Sequence, residues 1–399
     1  MLTEVADLYY DPFDHRIDDD PYPVWARMRA QAPLYHNEKY NFYALSRYAD
    51  VVRALPDWQT YRSGHGTTAD ILFSGIEVPP GILLFEDPPL HDLHRRLLSR
   101  VFTPRRMLAV EDLVRDFCTR ALDSLRDLDG FDVVTNFGAI LAMRTIGYLL
   151  GLPEEGQQAI RDRNDALITV ADGGGINQVS PTIFEDSIAM FADYIQWRAD
   201  HPSDDLMTDL LNAEIEEPDG TVRRLERNEV LAYTAMIAGA GNETSTRLIA
   251  FMTELLAEHP DQRAELVADR SLIPGAVEET LRFEAPSPVQ ARYVAHDAQW
   301  YGHTMPQGSY LLLLNGSANR DAAHFDEPDR FDIHRQGGHL SFGQGIHFCL
   351  GSALARLEAR IAIEEMLDRW PRWEIDYAGA QRARTSSVRG WSTLPVRTR

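Results

Sequence analysis

Between Arg227 and His259 the chain keeps a helical pattern without a break. At 1.5 Å per residue such a helix is roughly 50 Å long, enough to cross the whole molecule. The rest of the chain must therefore pack around it. Its middle reads Ile237-Ala238-Gly239-Ala240-Gly241-Asn242-Glu243-Thr244-Ser245-Thr246. Two glycines inside a helix cost about 1 kcal/mol each relative to alanine, so they need a reason. One reason is close packing of another helix. The other is something flat and bulky that must approach the backbone.

Around this helix the pattern predicts a mainly α chain with small β regions, an α+β fold. Helices are expected over 22–30, 91–100, 104–127, 133–150, 182–200 and 204–214. Strands are expected over 41–45, 289–295 and 309–314, with a small C-terminal β region over 372–376 and 393–397. Residues 60–87 carry several Gly and Pro without a period, which predicts a long loop of the kind that is usually functional. Length alone allows two to three domains at about 150 residues each, yet no repeat, low-complexity segment or linker divides the chain.

Composition removes several classes. The 399 residues carry 39 Lys and Arg against 61 Asp and Glu, a net charge of −22 spread along the chain. That argues against nucleic-acid binding, which needs a basic footprint. Two cysteines, Cys118 and Cys349, cannot build a disulfide scaffold, a four-cysteine zinc site or a four-thiolate cluster. The opening MLTEVADLYYDPFDH has acids and no apolar run, so neither a signal peptide nor a membrane anchor is expected. The longest aliphatic run, Leu311–Leu314, is far too short to span a bilayer. A reducing cytoplasm is the expected location.

The most informative stretch is Phe342-Gly343-Gln344-Gly345-Ile346-His347-Phe348-Cys349-Leu350-Gly351. A glycine-rich turn leads to a cysteine, and Leu350, Leu354, Leu357 and Ile361 then recur at helical spacing. Cys349 is thus expected at a helix N-terminus, where free N–H groups and the dipole lower a thiol pKa. Its glycines let backbone approach a flat ligand. Cys118, inside a helical segment, reads instead as a small buried hydrophobe.

The pattern F-G-x-G-x-H-x-C-x-G resembles the haem-binding loop of the cytochrome P450 superfamily without departure, and the likeness extends over nearly the whole chain. It implies one domain over 1–399 with the family's triangular fold: a long central helix over haem b and the cysteine loop 342–351 beneath it. Cys349 would be the axial ligand of the haem iron, with Phe342, Gly343, Gly351 and Ala240 against the cofactor. A second mark, E-x-x-R, is Glu279-Thr280-Leu281-Arg282. In the family this pair is buried beside a third basic residue, for which Arg330 is the candidate and Arg335 the competitor. Ala240-Gly241-Asn242-Glu243-Thr244-Ser245 is similar to the family's A-G-x-[D/E]-T-[T/S]. Its acid and alcohol would relay protons during dioxygen reduction, and Thr244 could equally bond its own i−4 carbonyl. The segment Asp87-Pro88-Pro89-Leu90-His91-Asp92-Leu93-His94-Arg95 resembles the bacterial D-P-P-x-H-x-x-x-R. His91 and Arg95, with Arg292 and His347, would bind the haem propionates, and His94 would be an exposed neighbour.

The same resemblance implies a bacterial monooxygenase of the ferredoxin-dependent type, since no electron-transfer domain is fused. Electrons would come from NAD(P)H through a reductase and a ferredoxin docked on a basic proximal face. Arg95, Arg96, Arg100, Arg105 and Arg106 would form that face with Arg356 and Arg360. A monomer is expected. Substrate contacts are expected from Ile71, Leu72, Phe73, Ile76, Val78 and Leu83. Others would be Met236, Ile237, Val289, Ala291 and Trp391, with residues 173–177 in a flexible roof. These side chains are mostly apolar, so a lipophilic guest is expected; fatty acid, terpenoid, steroid, macrolide and aromatic compound all stay open. A peroxide-driven peroxygenase is the second reading, and a non-catalytic haem sensor or recruitment module the third. The Glu243-Thr244 pair weighs against both.

Overall fold

The computed structural model describes residues 8–398 except 100, 101, 155, 159, 163–179, 181, 218 and 386. Six helices position the site: α1 (Leu90–Ser99), α2 (Pro104–Asp123), α3 (Ala139–Leu150), α4 (Arg227–Glu258), α5 (Ile273–Phe283) and α6 (Ser352–Arg369). The long helix α4 has the extent expected. A capping box starts it: Glu229 Oε2 accepts the Glu226 N–H at 2.6 Å, and the Glu226 side chain accepts in return. It stops at His259 because Pro260 disfavours helical backbone in the residue before it.

Most of α4 is buried, and α3 and α6 pack along it within the largest apolar cluster. Gly241 sits where a Cβ would come 3.0 Å from Ile146 Cδ1 on α3, so one glycine serves close helix packing. Mid-helix, Met236, Ala240 and Thr244 at i, i+4, i+8 are partly or wholly exposed, together with Ala235, Gly239 and Gly241 beside them. Both readings of the glycine-containing stretch therefore have a physical basis.

The main sheet runs β1 (Leu34–Asn37), β2 (Phe42–Leu45), β3 (Tyr61–Arg62), β4 (Gln290–Val294) and β5 (Tyr310–Leu313), in spatial order β1-β2-β5-β4-β3. Only the β2–β5 pair is parallel, with Phe42 opposite Tyr310 and Leu45 opposite Leu313. Near the C-terminus β6 (Trp391–Thr393) pairs with Gln381–Arg382, and Pro395–Arg397 joins Glu374–Ile375 to Gly130–Asp132.

Several expectations need correction. Residues 60–87 are not one loop: they hold β3, a helix at Ala69–Ser74 and a turn at Leu83–Phe85. That helix is too short to show a period, and it ends at Gly75 with φ 67°. The 182–200 helix is two, Ile183–Ala189 and Ala192–Asp200, broken where Phe191 turns fully into the core. The 204–214 helix is only Leu206–Leu211, and Glu214–Glu216 leaves it as a strand. A π-helical turn at Val134–Gly138 precedes α3.

Candidate active site

The cysteine loop is shaped by two left-handed glycines, Gly343 (φ 67°) and Gly345 (φ 75°). A Cβ on Gly345 would lie 2.7 Å from Pro56 Cα, so the loop passes against backbone that tolerates no side chain. The Cys349 N–H donates to the Phe342 carbonyl at 2.8 Å and closes the turn. Helix α6 starts at Ser352, three residues after the cysteine, with Gly351 at its N-cap, not directly at Cys349. The expected lowering of the thiol pKa is also not the net outcome. Burial pushes the Cys349 thiol up, while the Gly351 N–H, Arg95 and Arg356 pull it down. Cys118 is fully buried between α2 and α6, and burial pushes its thiol far up, as expected of an inert packing residue.

Four nitrogen donors gather beside this loop. His91 and His347 meet edge to face at 4.6 Å between ring centroids, and the Nε2 of each is buried without a partner. Burial, with Arg292, His91 and Arg95 nearby, pushes His347 down to about 2. Arg292 is pushed down to about 10 by burial, and its guanidinium donates only to neutral oxygens, the Ala291 carbonyl at 2.8 Å and Gln290 Oε1 at 3.1 Å. Burial lowers Arg95 as well. Among the described residues neither arginine has a carboxylate within ion-pair distance. Buried cations without counter-ions are costly, so this donor set fits a group bearing two carboxylates, as haem does. His94 is not the exposed neighbour expected: it is buried, and its Nδ1 meets Glu86 Oε2 at 2.7 Å.

On α4 the Thr244 hydroxyl donates to the Ala240 carbonyl at 2.8 Å, the i−4 alternative. Glu243 is buried and paired with Arg247 one turn on, whose guanidinium also donates to the Trp391 carbonyl. Acid and alcohol are adjacent but bonded to different partners.

Glu279 and Arg282 form a buried two-pronged ion pair on α5, with both N–O distances 2.7 Å. Arg282 also donates to the carbonyls of Asn319, Pro328 and Arg330, which pins the segment leading to the cysteine loop. The third basic residue is Arg335, whose Nε lies 3.2 Å from Glu279 Oε1. Arg330 is corrected: its side chain is 61% exposed and pairs with Glu327 and Asp332, so only its carbonyl joins the network.

The family model for cytochrome P450 matches residues 182–382. A Mycobacterium tuberculosis chain named cytochrome P450 123 is 40% identical over 99% of each chain. The chain belongs to the cytochrome P450 family. The structure of a mutant of P450 EryK in complex with erythromycin B superposes with a TM-score of 0.87 at 30% identity, covering 98% of each chain. P450BioI, in complex with an acyl carrier protein bearing hexadec-9Z-enoic acid, superposes at 0.85 and 30% identity, covering 96% of this chain and all of that one. This cytochrome P450 is a haem-dependent monooxygenase. Among its described residues no helix is long and apolar enough to cross a membrane.

Within the P450 fold the eleven expected pocket residues do not form one group. Leu72, Phe73, Val289 and Ala291 join the packing of the sheet around Trp25, Phe42 and Leu312. The partly buried Phe73 ring lies 5.6 Å from Phe42 and 5.3 Å from Tyr310, so it packs against the core of the sheet. Leu83 and Ile237 are buried in the main cluster beside partly buried Met236. Ile71 is buried, and Ile76 and Val78 are half-buried. The Trp391 indole donates to Glu254 Oε2 at 2.7 Å, further along α4 than Thr244. The 173–177 roof lies outside the described residues.

Sequence reasoning missed Arg247, although an Arg four residues after Glu243 is a helix ion-pair spacing. It also missed Glu358 on α6, a buried carboxyl with Oε2 unpartnered. A lone Glu among apolar helix positions carries no signal of its burial.

Proposed function

We propose that this P450 inserts one oxygen atom of O2 into a lipophilic small molecule, by hydroxylation, epoxidation or dealkylation. It would act as a cytoplasmic monomer, one domain over residues 1–399. NAD(P)H supplies the electrons through a ferredoxin reductase and a ferredoxin. Haem bound through a cysteine thiolate supplies the activation of dioxygen. Cys349 would hold the haem iron through its thiolate, and its own backbone N–H bond to the Phe342 carbonyl fixes the loop that presents it. His91, Arg95, Arg292 and His347 bind the propionates, and Phe342, Gly343, Gly351 and Ala240 face the cofactor. Thr244 holds a proton at Oγ1 and Glu243 exchanges protons with it through water. Glu279, Arg282 and Arg335 keep the approach to the loop rigid.

The observation that carries this reading is the donor set beside the one cysteine in a glycine turn: two buried imidazole nitrogens without partners, and the buried Arg292 and half-buried Arg95 guanidiniums without a paired carboxylate among the described residues. The test is reconstitution with ferredoxin, reductase and NAD(P)H on compounds selected by a spin-state shift of the ferric haem. Oxygenated product in proportion to NAD(P)H is expected. Product with hydrogen peroxide alone, and none with the redox partners, would overturn the ferredoxin-dependent reading.

A further inference from the structure

The Arg247 guanidinium is buried and has two acceptors of different kinds. One nitrogen donates to the Glu243 carboxylate, its neighbour one turn back on α4. The other donates to the carbonyl oxygen of Trp391, the first residue of β6. The approach of the two elements is specific. Gly390 has φ 153°, and a Cβ there would come 2.6 Å from Arg247 Cδ and 3.0 Å from its Cβ and Cγ. The chain can cross Arg247 only because residue 390 lacks a side chain. Strand β6 has few other ties to α4, chiefly the Trp391 indole to Glu254 at 2.7 Å, with the Arg382 guanidinium 3.7 Å above that indole.

We propose that Arg247 is the positioning residue of the acid Glu243 and couples it to β6, so that the acid's freedom to exchange protons depends on where that strand sits. The inference rests on the proton role assigned above to Glu243. While both bonds stand, the carboxylate is held as an anion on the Arg247 side, one residue from Thr244. When β6 shifts and the carbonyl bond lengthens, the guanidinium gains freedom and its hold on the acid loosens. A guest lying against β6 would thereby set how readily protons are delivered. Without the guanidinium, nothing on α4 would fix the carboxylate's position beside Thr244.

The test is a double-mutant cycle in the reconstituted holoenzyme with Arg247→Gln, Glu243→Gln and the double variant. It is read as product formed per NAD(P)H and as hydrogen exchange of the amides over 383–393. Arg247→Gln is expected to lower coupling about tenfold, less than the ~10²-fold that a 1 Å misplacement at the reacting centre can cost, and to speed exchange over 390–393. In the Glu243→Gln background the same change should alter coupling by less than about twofold, since residues acting as one unit are not additive. Glu243→Gln alone should leave exchange over 390–393 near the wild-type rate. Arg247→Lys keeps the charge but not the planar two-pronged geometry. It should retain most coupling while exchange rises, and it serves if Arg247→Gln does not fold. Additive losses across the cycle, or unchanged exchange in both Arg247 variants, would overturn the proposal. If Glu243→Gln itself leaves coupling at the wild-type level, the acid role fails, whereas the exchange data still decide the tie to β6.

Discussion

Two residues on either side of α6 show how one chemical group takes opposite roles. Cys349 is half-buried beside Arg95 and Arg356, and Cys118 is sealed in apolar packing. Reduced protein with carbon monoxide should give the red-shifted Soret band of thiolate ligation. Cys349→Ser should lose that band, Cys118→Ser should keep it, and the reverse result would exchange the assignments. Glu358 makes a pH prediction. Burial raises its carboxyl from 4.5 to about 7, against the weaker opposing hydroxyls of Ser245 and Thr145. The folded state therefore binds a proton that the unfolded state has released between those two values. Its contribution is full below pH 4.5 and is lost as pH rises through 7, a swing of about 3 kcal/mol. Glu358→Gln should raise Tm relative to wild type at pH 8 and give little gain at pH 4.5. An equal gain at both would show that the carboxyl is hydrated.

At the scale of elements, the α5 network is a lock between helix and loop. Arg282→Ala leaves Glu279 buried without its main partner, which costs about 3 to 5 kcal/mol, so little haem-loaded protein should be recovered. Exposed Arg330→Ala should change stability by less than about 0.5 kcal/mol, while Arg335→Ala should fall between the two. Equal melting temperatures for Arg282→Ala and Arg330→Ala would remove the lock. The same contrast shows what could be read in advance. The i,i+3 pair Glu279 and Arg282 was legible because helix geometry puts both on one face. The third partner was not, because Arg330 and Arg335 stand only five residues apart, both more than 50 residues beyond Glu279, and only the turn at 327–335 decides which guanidinium points inward. Helix α4 was legible from the length of its unbroken helical pattern. The Ala69–Ser74 helix was not, since six residues cannot display a period. The cysteine loop was legible as a motif, but the upward push on its thiol comes from burial by distant elements. The pocket was least legible: apolar residues such as Leu72 and Phe73 are consistent with core and with cavity alike until the sheet is in place.

For the whole molecule, the charge map tests the electron partner. The chain is at −22, yet five arginines, Arg95, Arg96, Arg100, Arg105 and Arg106, fall within twelve residues, with Arg356 and Arg360 on α6. The structure tempers that patch. Arg356 pairs with Glu278, Arg360 with Glu111 and Glu364, and Arg106 with Asp209. Arg100 lies outside the described residues, as does the Arg105 side chain, whereas Arg96 is exposed on α1. Arg96→Glu is therefore expected to slow reduction by ferredoxin more than Arg106→Glu does, chiefly through association, with the difference shrinking as salt rises. Stopped-flow reduction over a range of ionic strength measures it. Equal rates for wild type and Arg96→Glu at low salt would place docking elsewhere.

The parallel contact of β2 with β5 also sets a timetable for synthesis. Its paired residues are separated by 268 positions (310 − 42), and at ~5–20 residues per second the ribosome needs roughly 13 to 54 s to supply the second after the first. Until then the β1–β2 hairpin has only itself, and a two-stranded hairpin is marginal in water. Tyr10, Trp25, Met28 and Phe42, which end against Ala291, Leu312 and Leu314, must wait uncovered for the same interval. The N-terminal segment of a nascent chain thus carries exposed apolar surface, of the kind chaperones shield, long before it is part of an enzyme.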